Sequence, residues 1–155
     1  MRQKLQNVDL DFIHRGAAGI QFGMDRSKDA RGYDIVIVML GGNDIANGAS
    51  SYNVSRRLVD LADELLERGV QHVVITTIWP RASKSFNRTA REVSEYLLRI
   101  YRDHHDITCW AQDRRLPMTV IDGTHLRPNS YRRAARYLFS PILWIIRNRL
   151  HTRRP

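Results

Sequence analysis

The stretch Asp34-Ile-Val-Ile-Val-Met-Leu-Gly-Gly-Asn-Asp44 decides the fold. Asp34 to Leu40 is an almost continuous apolar run, β-branched at Ile35, Val36, Ile37 and Val38. Such a run, closed by a turn, reads as a strand buried on both faces, the central kind in a parallel sheet. It stops at Gly41-Gly42-Asn43-Asp44, where two glycines let the backbone turn sharply and approach a ligand. Asn43 and Asp44 then follow at the carboxyl end of the strand, where open α/β sheets bind ligands. The same four residues also suit a hairpin or a capping turn.

Upstream, Val8 to His14 alternates apolar and polar and reads as a strand nearer a sheet edge, running into the small-residue turn Arg15-Gly16-Ala17-Ala18-Gly19. Gln21 to Gly32 is polar and reads as a loop or short helix. Downstream, Val54, Leu58, Leu61, Ala62 and Leu65 make one apolar stripe of a helix from Val54 to Arg68. Asn53 or Ser51 can cap its start, and Gly69 stands at its C-terminal cap. Val70 to Trp79 is a second buried strand, ended by Pro80. A helix from about Asn87 to Arg102 follows, and Met118 to Ile121 is a third core strand that stops at Asp122-Gly123-Thr124-His125. Asn129 then caps a helix, and Ser140-Pro141 reads as the cap and first position of a separate last helix, Ile142 to Ile146. Strand and helix alternate, which means βαβ crossovers and a parallel sheet with helices on both faces. One α/β domain spanning residues 1–155 is the expectation, with a basic tail at about 147–155.

The totals narrow the function classes. A chain of 155 residues suits one domain, and no apolar run approaches the roughly 20 residues of a transmembrane helix. Met1 to Val8 carries no segment resembling a signal peptide, and the single cysteine, Cys109, fits a reducing compartment, so a cytoplasmic protein is expected. Cys109 reads as a buried thiol rather than a nucleophile. The net charge is +9, and after Asp122 there is no acidic residue while Arg127, Arg132, Arg133, Arg136, Arg147, Arg149, Arg153 and Arg154 follow. Such an end can hold an acidic partner or nucleic acid phosphates; the plainer reading is a solvated helix face and a frayed tail. His104-His105-Asp106 matches no standard metal spacing, and no metal or cofactor is expected.

Chemistry concentrates at the strand ends. Asp122 and His125, three apart, can meet so that the carboxylate accepts from one imidazole nitrogen and leaves the other free as a general base. The Gly19 N–H and the Asn43 side-chain amide are suitable donors to a developing oxyanion.

Asp122-Gly-Thr-His-Leu-Arg-Pro-Asn-Ser-Tyr-Arg-Arg-Ala-Ala resembles the last block of the SGNH (GDSL-type) hydrolases. Gly41-Gly-Asn-Asp44 is similar to that family's Gly-x-Asn-Asp block, and Arg15-Gly-Ala-Ala-Gly19 to its glycine block. Pro80 and Asn87 also sit where the family often has a proline turn and an Asn before a helix. The resemblance runs from about Val8 to Phe139 and implies a flavodoxin-like three-layer α/β/α fold and hydrolysis of acyl esters without metal or cofactor. It further implies His125 as general base, Asp122 as its orienter and Asn43 and Gly19 as the oxyanion hole, with Gly41, Gly42 and Asp44 on the substrate rim. The family's first block, Gly-Asp-Ser with the nucleophile, has no counterpart here, because Met1 to Asn7 is a polar, helix-like stub without serine. Ser27, Ser50, Ser51, Ser83 and Ser85 all lack a nucleophile-elbow context, so the nucleophile is unknown. The expectation is an N-terminally truncated domain without its first strand, inactive or incomplete as a serine esterase, and with a sheet edge open to self-association. The alternative is a non-catalytic SGNH-like binding domain of the kind found in some retroelement proteins, holding nucleic acid through its arginine-rich end.

Overall fold

A computed structural model describes residues 11, 13–110, 120 and 122–150. Within them the order is α1 (Ile20–Arg26), a 3-10 turn (Ser27–Ala30), β1 (Ile35–Val38), α2 (Gly42–Ala46), α3 (Ser51–Glu67), β2 (His72–Thr76), α4 (Lys84–Ile100), β3 (Ile107–Trp110) and α5 (Pro128–Ile145), which runs into a π-helical turn (Ile146–Leu150). The sheet is parallel in the order β1-β2-β3, with Val38 opposite Ile75 and Thr76 opposite Trp110. Among the described residues no helix is long and apolar enough to cross a membrane.

The sheet sorts its side chains into two faces because successive residues of a strand point opposite ways. Val38, Val73, Ile75 and Ile107 join one apolar core with Val54, Leu58, Leu61, Ala62 and Leu65 of α3 and Phe86, Ala90, Val93 and Leu97 of α4. Both helices belong to that face, as right-handed crossovers between strands laid down in sequence order require. On the other face lie His72, Val74 and Thr76, all buried. There Trp110 meets Tyr137 of α5 with ring centroids 5.2 Å apart, and Ala134 and Ile145 of α5 are buried outside the first core. The result is three layers, helices on each side of a parallel sheet.

Several local expectations change. β2, not β1, is the central strand among the described residues: all five of its residues are buried, whereas β1 pairs on one side only and leaves Ile37 exposed, with Met39 exposed just beyond it. The β-branched run that suggested burial on both faces also suits an edge, since β propensity does not distinguish the two. The third strand is Ile107–Trp110, four residues whose Thr and Cys hid the apolar signal. Of the expected strand at Met118 to Ile121 only Val120 lies within the described residues, in an antiparallel bridge to Leu126. The expected strand at Val8 to His14 and the polar stub before it fall largely outside the described residues; Asp11, Ile13 and His14 are not in a strand.

Helix ends also shift. Ser50, rather than Ser51 or Asn53, caps α3, its hydroxyl accepting from the Asn53 N–H at 3.3 Å. Gly69 does close α3: its N–H donates to Leu66 O and that of Val70 to Leu65 O, the paired bonds of a glycine-capped helix end. Ser83 caps α4, which places Asn87 inside the first turns rather than at the start. Arg127 precedes α5 with Pro128 in its first turn, and Asn129 makes no cap. Pro141 lies within α5 instead of starting a new helix. Its missing N–H and its buried ring are tolerated by tertiary packing that overrides propensity.

Candidate functional site

Three loops meet at the carboxyl ends of the strands. The first is the turn that ends at Gly19 and starts α1. The second is Gly41 to Asp44, where left-handed Gly41 (φ 102°) turns β1 directly into α2. The third is the 77–83 loop after β2. Hydrogen bonds join them. Asn43 Nδ2 donates to Ala18 O at 2.9 Å, and Asn43 Oδ1 accepts from an Arg81 Nη at 3.0 Å. These partners fix the orientation of the amide, because a carbonyl can only accept and a guanidinium can only donate. One hydrogen of Asn43 Nδ2 is thereby used and one is left, and the Gly19 N–H has no acceptor among the described residues.

Asp44 is turned away from the rim and into the structure. One carboxylate oxygen accepts from the Ile20 N–H at 3.0 Å, capping α1, and the other accepts from Arg57 at 3.0 Å. Its side chain is only 8% exposed. Gly19 is required beside it: a Cβ there would stand 2.9–3.2 Å from the Asp44 carboxylate. The rule that a carboxylate favours a helix N-terminus explains the cap, and a signal for it, an Asp one residue beyond the Asn, was present in the sequence.

A fourth loop, Asp122 to His125, joins the group from α5's side. The Ala82 N–H donates to Gly123 O at 2.8 Å, so this loop hangs on the one that carries Arg81. His125 Nδ1 lies 2.6 Å from Asp122 Oδ2, and Asp122 Oδ1 accepts from the backbone N–H groups of His125 (2.7 Å) and Thr124 (3.0 Å). Those bonds, with the His125 backbone N–H foremost, hold the Asp122 carboxyl well below the usual carboxylate range. An ionised Asp122 accepts from Nδ1–H, which puts the free lone pair of a neutral imidazole on Nε2. Nε2 has no partner among the described residues, and the side chain is 69% exposed.

The serines occupy structural positions. Ser27 is buried at the start of the 3-10 turn, its hydroxyl 2.5 Å from Glu64 Oε1 and 2.9 Å from Met24 O. Glu64 lies seven residues beyond Arg57 on a helix that runs back from the rim, roughly 10 Å along its axis. Ser50 and Ser51 begin α3, and Ser83 and Ser85, with hydroxyls 3.0 Å apart, begin α4. Burial pushes the Cys109 thiol up to about 12, which removes it as a thiolate nucleophile near neutrality. His104 Nδ1 accepts the N–H groups of Asp106 and Ile107, so its imidazole caps backbone at the entry to β3.

Of the residues that build this region, Arg81 carried no sequence signal, whereas Asn87 was marked by the resemblance. Arg81 sits in an ordinary Arg/Lys/Ser loop and gains its place only through Asn43. Asn87 fixes that loop, accepting from the Arg81 N–H at 2.8 Å and donating to Arg81 O at 2.7 Å. No protein-family model matches the chain, and a comparison with curated proteins finds no match.

Proposed function

We propose that this is an acyl-ester hydrolase domain of SGNH type in which the base and the oxyanion donors are assembled without a serine nucleophile among the described residues. The observation that carries this reading is the path of hydrogen bonds and adjoining chain residues from Ala18 through Asn43 and Arg81 to Ala82, Gly123 and the Asp122–His125 pair. In this reading an ester carbonyl oxygen lies against the Gly19 N–H and the spare Asn43 N–H. Both donors strengthen as the oxygen gains charge. His125 Nε2 takes a proton from the attacking water, and Asp122 stabilises the imidazolium through Nδ1–H. The tetrahedral intermediate then collapses, expelling the alcohol with the proton that His125 returns. Water attack forgoes covalent catalysis, so the rate is low. The test is hydrolysis of a short-chain p-nitrophenyl ester: a slow rate above the buffer blank, lost in His125→Ala, supports the reading. No rate above the blank, or a rapid rate abolished by replacing one of the five serines of the loops and helix starts, opposes it.

A second reading has its own observation. Arg127, Arg132 and Arg136 are exposed on or beside α5, a helix without an acidic residue, and Tyr131 is exposed between them. This face suits nucleic acid phosphates. A salt titration of binding to an unrelated single-stranded oligonucleotide decides it: affinity must fall steeply with salt, and salt-insensitive or absent binding removes it.

A further inference from the structure

Arg81 is a cation held at the candidate site with no counter-charge among the described residues. Its main chain is clamped to Asn87 on both sides of the peptide, at 2.8 and 2.7 Å. Its guanidinium carbon lies 4.6 Å from the centroid of the Phe86 ring, and one Nη donates to Asn43 Oδ1 at 3.0 Å. That same Nη lies 3.5 Å from where a Gly42 Cβ would be, so the group covers the Gly41–Asn43 turn. Arginine has five N–H donors, and the Asn43 bond uses one. No carboxylate lies within ion-pair distance of Arg81 among the described residues: Asp44 is taken by Arg57, Glu64 by Arg68 and Asp122 by His125. The ring contact and a hydrogen bond to a neutral amide hold the planar group in place, and neither compensates its charge. A guanidinium fixed in this way, with free donors, is suited to bidentate recognition of an anionic oxygen group.

We infer that Arg81 selects ligands carrying an anionic oxygen group, a carboxylate or a phosphate, a few ångströms from the ester carbonyl. The preferred substrates of the site are then half-esters of dicarboxylic acids or phosphate-bearing esters rather than neutral acyl esters. This inference rests on the proposed ester site for the position of the carbonyl. The anion contact itself needs only Arg81. A bulky neutral substituent would meet the Arg81–Phe86 stack at that place, whereas an anion would gain two charge-assisted hydrogen bonds.

The experiment is a pair of NMR titrations of the full chain with monoethyl succinate and with ethyl butyrate, following the Arg81 Nε–H and Asn43 side-chain amide signals. Monoethyl succinate is expected to bind about tenfold more tightly, as suits a half-buried charge-assisted pair. Arg81→Met should erase the difference, Arg81→Lys should keep part of it, and Arg132→Met should leave it unchanged. Inorganic phosphate added as competitor separates the two sources. Displacement of the half-ester indicates a site that reads negative charge, and persistence of binding indicates one that reads carboxylate geometry. Equal affinities in the wild-type chain, or a preference that survives Arg81→Met, would overturn the inference. If Arg81→Met does not fold, the Arg81 Nε–H signal of the wild type decides: it must move with monoethyl succinate and stay still with ethyl butyrate. Shifts at Arg127 or Arg132 without a shift at Arg81 would also overturn it. A chain that hydrolyses nothing yet prefers the half-ester loses the hydrolase reading and keeps this one. A chain that hydrolyses esters but binds both equally does the reverse.

Discussion

The Ala82 N–H donates to the Gly123 carbonyl at 2.8 Å, and through that bond the loop that carries Asp122 and His125 is fastened to the loop that carries Arg81. The two loops are more than thirty residues apart in sequence, yet the position of the candidate base relative to Asn43 depends on it. Gly123 has φ 78°, and a Cβ there would stand 3.3 Å from the Ala82 Cβ. Gly123→Ala is therefore expected to destabilise the protein by about 1–2 kcal/mol, from left-handed strain and a crowded contact. In urea unfolding the midpoint should fall, and the amide of Ala82 should exchange faster with solvent. An unchanged midpoint with unchanged exchange would mean that the fastening contributes nothing.

Gly19→Ala acts on Asp44. With a Cβ 2.9–3.2 Å from its carboxylate, Asp44 must leave the Ile20 N–H, Arg57 or both. Losing charge-assisted bonds to a nearly buried carboxylate costs on the order of 2 kcal/mol. The Tm of Gly19→Ala should fall by a similar amount to that of Asp44→Ala, and the double variant should fall by less than the sum. Additive losses would show that the two residues are not coupled as described.

Ser27→Ala separates packing from chemistry. The hydroxyl is the first cause of the lowered carboxyl of Glu64, with Arg68 second. Its removal should cost about 1 kcal/mol of stability and leave any hydrolytic rate per folded molecule unchanged. A rate that vanished in a folded Ser27→Ala protein would make Ser27 a reacting group.

Stability should depend on pH through His72. The ring is buried in β2 with Nε2 2.9 Å from Thr108 Oγ1, and burial pushes its pKa down to about 4. Arg149, His105 and His104 act in the same direction, while Asp106 acts against them. The folded pKa lies below the unfolded value of about 6.5, so the unfolded chain binds the extra proton between those two pH values. The contribution is fully present above pH 6.5 and is lost as pH falls toward about 4, by about 3 kcal/mol at most. Urea midpoints at pH 7 and pH 4.5 check this, with His72→Gln expected to flatten the difference.

The sequence made some parts of this arrangement legible and others not. The α3 stripe and Gly69 were legible because apolar periodicity and a glycine cap are local properties. The pairing of His125 with Asp122 was legible because a three-residue spacing already confines the contact. That β1 pairs on one side only among the described residues was not, since neighbours in a sheet are chosen by the whole chain. β3 was missed because it is only four residues long and only Ile107 of it is fully buried, so its apolar pattern is short and weak. Pro141 misled for a related reason: its local veto on helix is weaker than the packing that carries α5 through it. Arg81 had no pattern to announce it, and only folding sets it against Asn43 and Phe86.

The central proposal is that Asn43 and His125 serve one site. Its most direct test is the hydrolysis rate of p-nitrophenyl butyrate by the wild-type chain, Asn43→Ala, His125→Ala and the double variant, each corrected for the folded fraction. Residues that act as a unit are not additive. Each single substitution is expected to lower the rate, and the double variant to be no slower than the slower single. Independent, multiplying losses, or a wild-type rate that neither substitution changes, would contradict it.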